Sequence, residues 1–85
     1  MDERLILYSS SECDRCRLVK QMLDYHGVEY IDVQDNKELA VEKDIDQFPA
    51  LEIGNKIIDD YGLVLNWLKE HGYYSLWRID KNESN

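Results

Sequence analysis

Apolar positions change rhythm along the chain, and each rhythm predicts an element. Arg4 to Tyr8, RLILY, is a short apolar run of high strand propensity closed by Ser9, Ser10 and Ser11, and it predicts a strand. From Asp14 the period lengthens: Cys16, Val19, Met22, Leu23 and His26 recur at helical spacing, while Arg15, Arg17, Lys20, Gln21 and Asp24 fall largely on the other arcs. Gly27 supplies a stop, and Ser11 with Asp14 approximates a capping arrangement at the start, with Asp in place of the preferred Glu or Gln. Cys13 and Cys16 therefore fall at the entrance and first turn of this helix.

Val28 to Val33 again alternates like a strand, and its apolar content on both faces predicts an interior parallel strand. Asp35 to Asp46 is polar with Leu39, Ala40, Val41 and Ile45 interspersed, which reads as a short helix followed by a loop. Phe48-Pro49 interrupts regular structure; Ala50 to Ile53, a Gly54-Asn55 turn and Lys56 to Ile58 then form a candidate hairpin. Asp59 or Asp60 caps a last helix, whose Tyr61, Val64, Leu65 and Leu68 make a stripe widened by Leu63 and Trp67 and ended by Gly72. Tyr73 to Ile79 is aromatic and predicts a packed turn or short helix before the polar end, Asp80 to Asn85. The first two strands, joined through a helix, should be parallel, and the hairpin antiparallel, with helices covering both faces of a mixed sheet.

Composition narrows this picture. With 85 residues, 44% of them apolar, six tyrosines and two tryptophans, the chain supports one domain with one modest core. A formal charge of -8 disfavours nonspecific attraction to nucleic acid or an anionic membrane, and no clustered bases make a local exception. Met1 to Arg4 is an acidic start with no basic region or long apolar stretch behind it, so neither a signal peptide nor a membrane span is expected. The expectation is a soluble cytoplasmic monomer.

Cys13 and Cys16 are the two cysteines of the chain. A bridge across two intervening residues closes too small a loop to staple distant segments, so the pair points to chemistry rather than architecture. A thiolate attacks a disulfide, and a second thiol nearby resolves the mixed disulfide. The amides at the helix N-terminus favour a thiolate on Cys13, and Cys16, one turn inward, is the natural resolving thiol. Glu12 and Asp14 oppose the thiolate while Arg15 and Arg17 compensate, each exposed charge mattering by a few tenths to about one kcal/mol. Two other readings of the pair stand beside this one: small core residues, or part of a metal site. Zinc normally takes four protein ligands, and His26 and His71, near two helix ends, read as capping or surface residues. A cluster shared across a dimer would supply four cysteines.

CDRC between the first strand and helix, together with FPALEIGNKIIDD and the terminal helix, resembles the glutaredoxin branch of the thioredoxin-like superfamily. The resemblance covers about residues 4 to 72 and leaves 73 to 85 as an aromatic and polar extension. It implies a thioredoxin-like α/β fold, a four-stranded mixed sheet flanked by helices. It also implies that Cys13 attacks, that Cys16 resolves, and that Pro49 is a cis proline facing them. The Phe48 backbone would pair with the cysteinyl backbone of a bound peptide or glutathione, its ring packing inward, and Tyr8 takes the place of an end-of-strand aromatic near the site or in the core.

Departures from the family pattern bear on the electron donor. Asp14-Arg15 replaces a common Pro-Tyr, and Ser10 stands where many members have a lysine that binds the glutathione carboxylate. Asp59-Asp60 replaces two glycines that commonly admit the glutathione backbone, adding side chains and negative charge against an anionic ligand. The interval from Cys16 to Pro49 is also short, consistent with a trimmed second helix.

The functional expectation is a thiol-disulfide oxidoreductase reducing protein disulfides, with no tightly bound cofactor. Its electrons would come from a thioredoxin-reductase-like flavoprotein, with glutathione as the alternative that Asp59 and Asp60 disfavour. A catalytically weak thioredoxin-like module holding a basic partner beside Pro49 is the competing class, and a dimeric metal or iron-sulfur protein is a third.

Overall fold

A computed structural model describes residues 4–75. The elements, in chain order, are β1 (Leu5–Ser9), α1 (Asp14–Tyr25), β2 (Ile31–Gln34), α2 (Lys37–Glu42), β3 (Ala50–Ile53), β4 (Lys56–Ile58) and α3 (Tyr61–Glu70). The strands form one sheet in the order β2-β1-β3-β4. β1 runs parallel to β2 with Tyr8 opposite Val33, and antiparallel to β3 with Leu7 opposite Leu51. The hairpin pairs Leu51 with Ile58 and Ile53 with Lys56.

Alternation along β1 divides the core. Leu5 and Leu7 join Leu51 on one face, where Val19, Met22 and Leu23 of α1 and Val64 and Leu68 of α3 cover them. Tyr8 points to the other face and joins Ala40, Ile45 and Ala50, with Ile6, Val33, Leu39, Phe48 and Ile57 packed around them. Each fully buried aliphatic side chain contributes roughly 1.5–3 kcal/mol, so the short helices are held by this burial more than by intrinsic propensity.

α1, α2 and α3 each end in a left-handed residue: Gly27 after α1 (φ 69°), Asp44 after α2 (φ 59°) and Gly72 after α3 (φ 78°). The amides that follow return to the last turn, Val28 to Leu23, Ile45 to Ala40 and Tyr73 to Leu68, at 2.8–2.9 Å. Asp44 does this without glycine's freedom, as the short acidic side chains tolerate it best.

Two expectations are corrected. β2 is an edge strand rather than an interior one, and it begins at Ile31. Val28 and Tyr30 are apolar because they pack under the α1 and α3 face as an approach segment. Asp32 and Gln34 are exposed in the strand itself. The Ser11 and Asp14 cap also gives way: the residue that caps α1 is Cys13. The aromatic stretch beginning at Tyr73 is partly in view. Tyr73 packs against the main core and Tyr74 is exposed, while the expectation for residues 76–85 lies outside the described residues.

Candidate active site

β1 ends at the buried Ser9, and the chain must turn to start α1 on the same face of the sheet. That turn closes with the Cys13 amide donating to the Ser10 carbonyl at 3.2 Å. Cys13 has extended backbone angles, φ -113° and ψ 113°, and its Sγ accepts the Cys16 amide at 3.1 Å. Sulfur thus occupies the place that an oxygen takes in an ordinary N-cap, with a helix N-terminus pointing at it.

The two sulfurs differ in access. Cys13 is partly exposed, whereas Cys16 is only 1% exposed. Burial, followed by the thiol hydrogen bond of Cys13, pushes the Cys16 thiol up to about 12. Across the turn, the Phe48 carbonyl oxygen lies 3.9 Å from Cys13 Sγ, the Phe48-Pro49 bond is cis, and Pro49 is buried. The structure therefore brings Cys13, Cys16, Phe48 and Pro49 together from α1 and the approach to β3.

Asp59 and Asp60 hold backbone. Asp59 accepts the Asp46 amide at 3.0 Å, tying down the loop that leads to Phe48, and Asp60 caps α3 by accepting the Leu63 amide at 3.2 Å. Gly62 leaves room for that cap, since a Cβ there would stand 3.1 Å from Asp60 Oδ1. Arg15, between the cysteines, reaches α3 with its guanidinium 4.7 Å from the centre of the Tyr61 ring. Asp14 pairs with Arg17 on the solvent side of α1.

Tyr8 serves the α2 face. It is 2% exposed, and its hydroxyl donates to Glu52 Oε1 at 2.5 Å, while Lys43 Nζ lies 3.1 Å from Glu52 Oε2. Burial and then the Glu52 carboxylate push the Tyr8 hydroxyl up to about 12; the Tyr8 hydrogen bond, aided by Lys43, holds Glu52 below its ordinary value. His26 and His71 are the C-caps of α1 and α3, each with a ring nitrogen on a backbone carbonyl, of Ser75 and Trp67 respectively.

One supporting residue was not visible in the sequence. Asp35, in a left-handed conformation (φ 58°) just after β2, accepts the Ser11 amide at 2.9 Å and donates its own amide to Ser9 at 2.9 Å. It braces the turn before Cys13 from the neighbouring strand. The Ser11 amide holds its carboxyl below the usual value. The Asp35-Asn36 pair is a recognisable turn signal, but its reach to Ser11 depends on the β1/β2 register. An open cleft of about 1250 Å³ lies at the other end of the sheet, lined by Arg4, Glu29, Tyr30 and Asn55 among others, and contains neither cysteine.

The family model described as glutaredoxin matches residues 5–58, more than half of the chain and all of this geometry up to the hairpin. The chain belongs to the glutaredoxin family. Among solved structures, this glutaredoxin-family chain is similar to maleylacetoacetate isomerase from Anaeromyxobacter dehalogenans 2CP-1, with a TM-score of 0.64 and 26% identity over 94% of this chain and 38% of that one. It is similar in fold to a glutathione S-transferase from the Antarctic clam Laternula elliptica, with a TM-score of 0.66 and 16% identity over 91% of this chain and 39% of that one. A glutathione transferase homolog from Drosophila mojavensis with bound glutathione gives a TM-score of 0.66 and 21% identity over 94% of this chain and 41% of that one. The chain thus spans about two fifths of those structures' length. No curated protein matches it. The family and the fold place the chain among thioredoxin-like redox proteins. Among the described residues, no helix is long and apolar enough to cross a membrane.

Proposed function

We propose that the chain is a thiol-disulfide oxidoreductase that reduces a disulfide in a protein substrate. The observation that carries this reading is Cys13 at the N-cap of α1, its sulfur accepting an amide at 3.1 Å, accessible to solvent, and backed by a buried Cys16 one turn inward. The Cys13 thiolate attacks one substrate sulfur; the substrate S–S bond breaks, and the other sulfur leaves as a thiolate that takes a proton from solvent. The Cys16 thiolate then attacks Cys13 Sγ, expelling the second substrate sulfur. The protein departs with a Cys13–Cys16 disulfide, having passed on two electrons. The Phe48 backbone, whose carbonyl lies 3.9 Å from Cys13 Sγ, would orient an extended substrate segment beside Cys13.

The donor that returns those electrons is assigned to a thioredoxin-reductase-like flavoprotein. Asp59 and Asp60 support this choice, because their backbone hydrogen bonds keep two carboxylates at the end of the hairpin, where they repel an anionic tripeptide. Glutathione is the second donor, a reading favoured by the fold's likeness to the Drosophila mojavensis homolog that carries it. An insulin-reduction assay supplied in parallel by NADPH with thioredoxin reductase and by glutathione with its reductase tests both. Turnover is expected with the flavoprotein supply and is expected to vanish in Cys13→Ser. Absence of turnover with both supplies, or an unchanged Cys13→Ser, overturns the proposal.

A further inference from the structure

Lys20 lies close to this chemistry and has no part in the steps above. α1 places it four residues after Cys16, one turn along the same face of the helix. Its Nζ stands 2.9 Å from Asp32 Oδ2 and 2.6 Å from Gln34 Oε1, both on β2, and its side chain is only 20% exposed. Asp32 Oδ1 in turn accepts the hydroxyl of Ser9 at 2.9 Å, and Ser9, the last residue of β1, is itself 1% exposed. A lysine gives up rotamer freedom when it is pinned in this way. The bonds from Asp32 and Gln34 on β2, with Ser9 of β1 behind Asp32, fix its charge at the sheet, one helical turn beyond Cys16.

We propose that Lys20 is the positioning residue of the resolution step: anchored by Asp32 and Gln34, its ammonium stabilises the Cys16 thiolate as that sulfur attacks Cys13. This rests on the thiol-disulfide reading above. In that step the Cys16 thiol gives its proton to solvent, a bond forms between the two protein sulfurs, and the bond from Cys13 to the substrate sulfur breaks with its electron pair leaving on the substrate. Lys20 keeps its proton throughout and acts through its charge.

The case stands on the helical spacing of Cys16 and Lys20 and on the anchoring of Lys20 by β2, and the groups that bear on the Cys16 sulfur agree with it. Burial opposes its ionisation, as do the thiol hydrogen bond and charge of Cys13; the Ser10 backbone and the Lys20 ammonium favour it. Once Cys13 is tied up in a mixed disulfide its sulfur can no longer carry charge or donate a proton, and both of its opposing effects disappear. What then remains against burial is the Ser10 contact and Lys20. The negative charge of Asp32 is directed at Lys20 and the Ser9 hydroxyl. Lys20 therefore matters more at the moment of resolution than in the resting dithiol.

The test is stopped-flow reaction of the reduced chain with one equivalent of 5,5′-dithiobis(2-nitrobenzoate), followed by thionitrobenzoate absorbance. The first release reports attack by Cys13, and the second reports attack by Cys16 on the mixed disulfide. In Lys20→Gln and Lys20→Met the first release is expected to stay within about twofold of the parent. The second is expected to slow about tenfold at neutral pH, the midpoint of its pH profile moving up by about one unit, and Lys20→Arg is expected to restore it. A second release unchanged in both neutral variants, or slowed equally in Lys20→Arg, overturns the assignment. The first release also serves as the check on folding. Insulin reduction that survives in Cys13→Ser would instead overturn the thiol-exchange reading, so the two failures are distinguishable.

Discussion

α1 and α3 begin with nearly the same backbone and with different chemistry. Cys13 and Asp60 have φ/ψ of -113°/113° and -110°/126°, and each side chain accepts the amide three residues on, at 3.1 Å and 3.2 Å. Asn36 repeats the pattern at α2, accepting the Leu39 amide at 3.1 Å. The starts of α1, α3 and α2 thus share one bond, to the amide three residues on, made by a sulfur, a carboxylate and an amide oxygen. A carboxylate fills the position permanently, and its use is stability. A thiol is a weak acceptor, so sulfur in the same position leaves a side chain that is free for other chemistry. The difference teaches that the chemistry proposed for Cys13 needs no special scaffold, only an ordinary helix start with sulfur in the capping position.

The sharpest way to break that comparison is to restore an ordinary cap. Cys13→Ser puts a preferred capping oxygen where the sulfur stands. Insulin reduction is expected to fall to background while urea denaturation gives a stability equal to or above that of the parent; a substantial loss of stability would show that sulfur does more than cap. A smaller effect is expected at Glu52, a carboxylate committed to structure. Tyr8→Phe removes a hydrogen bond to a charged, half-buried group and is expected to cost about 1.5–3 kcal/mol in the same denaturation experiment.

The pH dependence of that bond has a definite sign. The folded Tyr8 hydroxyl titrates at about 12 against 10.0 in the unfolded chain, so its contribution is complete below pH 10 and is lost as pH rises toward 12. Glu52 is lowered, so its share is present above the ordinary carboxylate range and is lost as acid protonates it. Denaturation midpoints at pH 8 and pH 11 are expected to converge for Tyr8→Phe and the parent at the alkaline end.

The order of elements was legible because hydrophobic rhythm is a local property: RLILY, the α1 stripe and the Gly54-Asn55 hairpin each carry their signal within a few residues. The interior placement of β2 was misread for the same reason. Val28 and Tyr30 look like strand residues, and only the finished fold shows them packing from the approach segment. At the site, CDRC pointed to the residues that the fold brings beside Phe48 and Pro49, but a capping rule written for oxygen does not flag a sulfur. The braces were hidden by distance along the chain. Asp35 reaches Ser11, Asp59 reaches Asp46, and Lys20 reaches Asp32, contacts that exist only once strand register is fixed.

Asp60 offers the finest division of the comparison, because its two properties can be separated. Asp60→Ala removes both the hydrogen bond to Leu63 and the charge, and is expected to lower stability by about 1 kcal/mol. Asp60→Asn keeps an acceptor at the same position, as Asn36 already does for α2, and is expected to change stability by only a few tenths of a kcal/mol. Its charge is gone, however, so the glutathione-supplied rate of insulin reduction should rise relative to the flavoprotein-supplied rate, and the rise should shrink as salt screens the remaining charges. A stability loss in Asp60→Asn equal to that in Asp60→Ala would mean that the carboxylate charge, interacting with the α3 dipole, matters more than the hydrogen bond. An unchanged ratio of the two supply rates would mean that Asp60 acts only as the cap, and the preference between donors would then have to reside in Asp59 and Ser10.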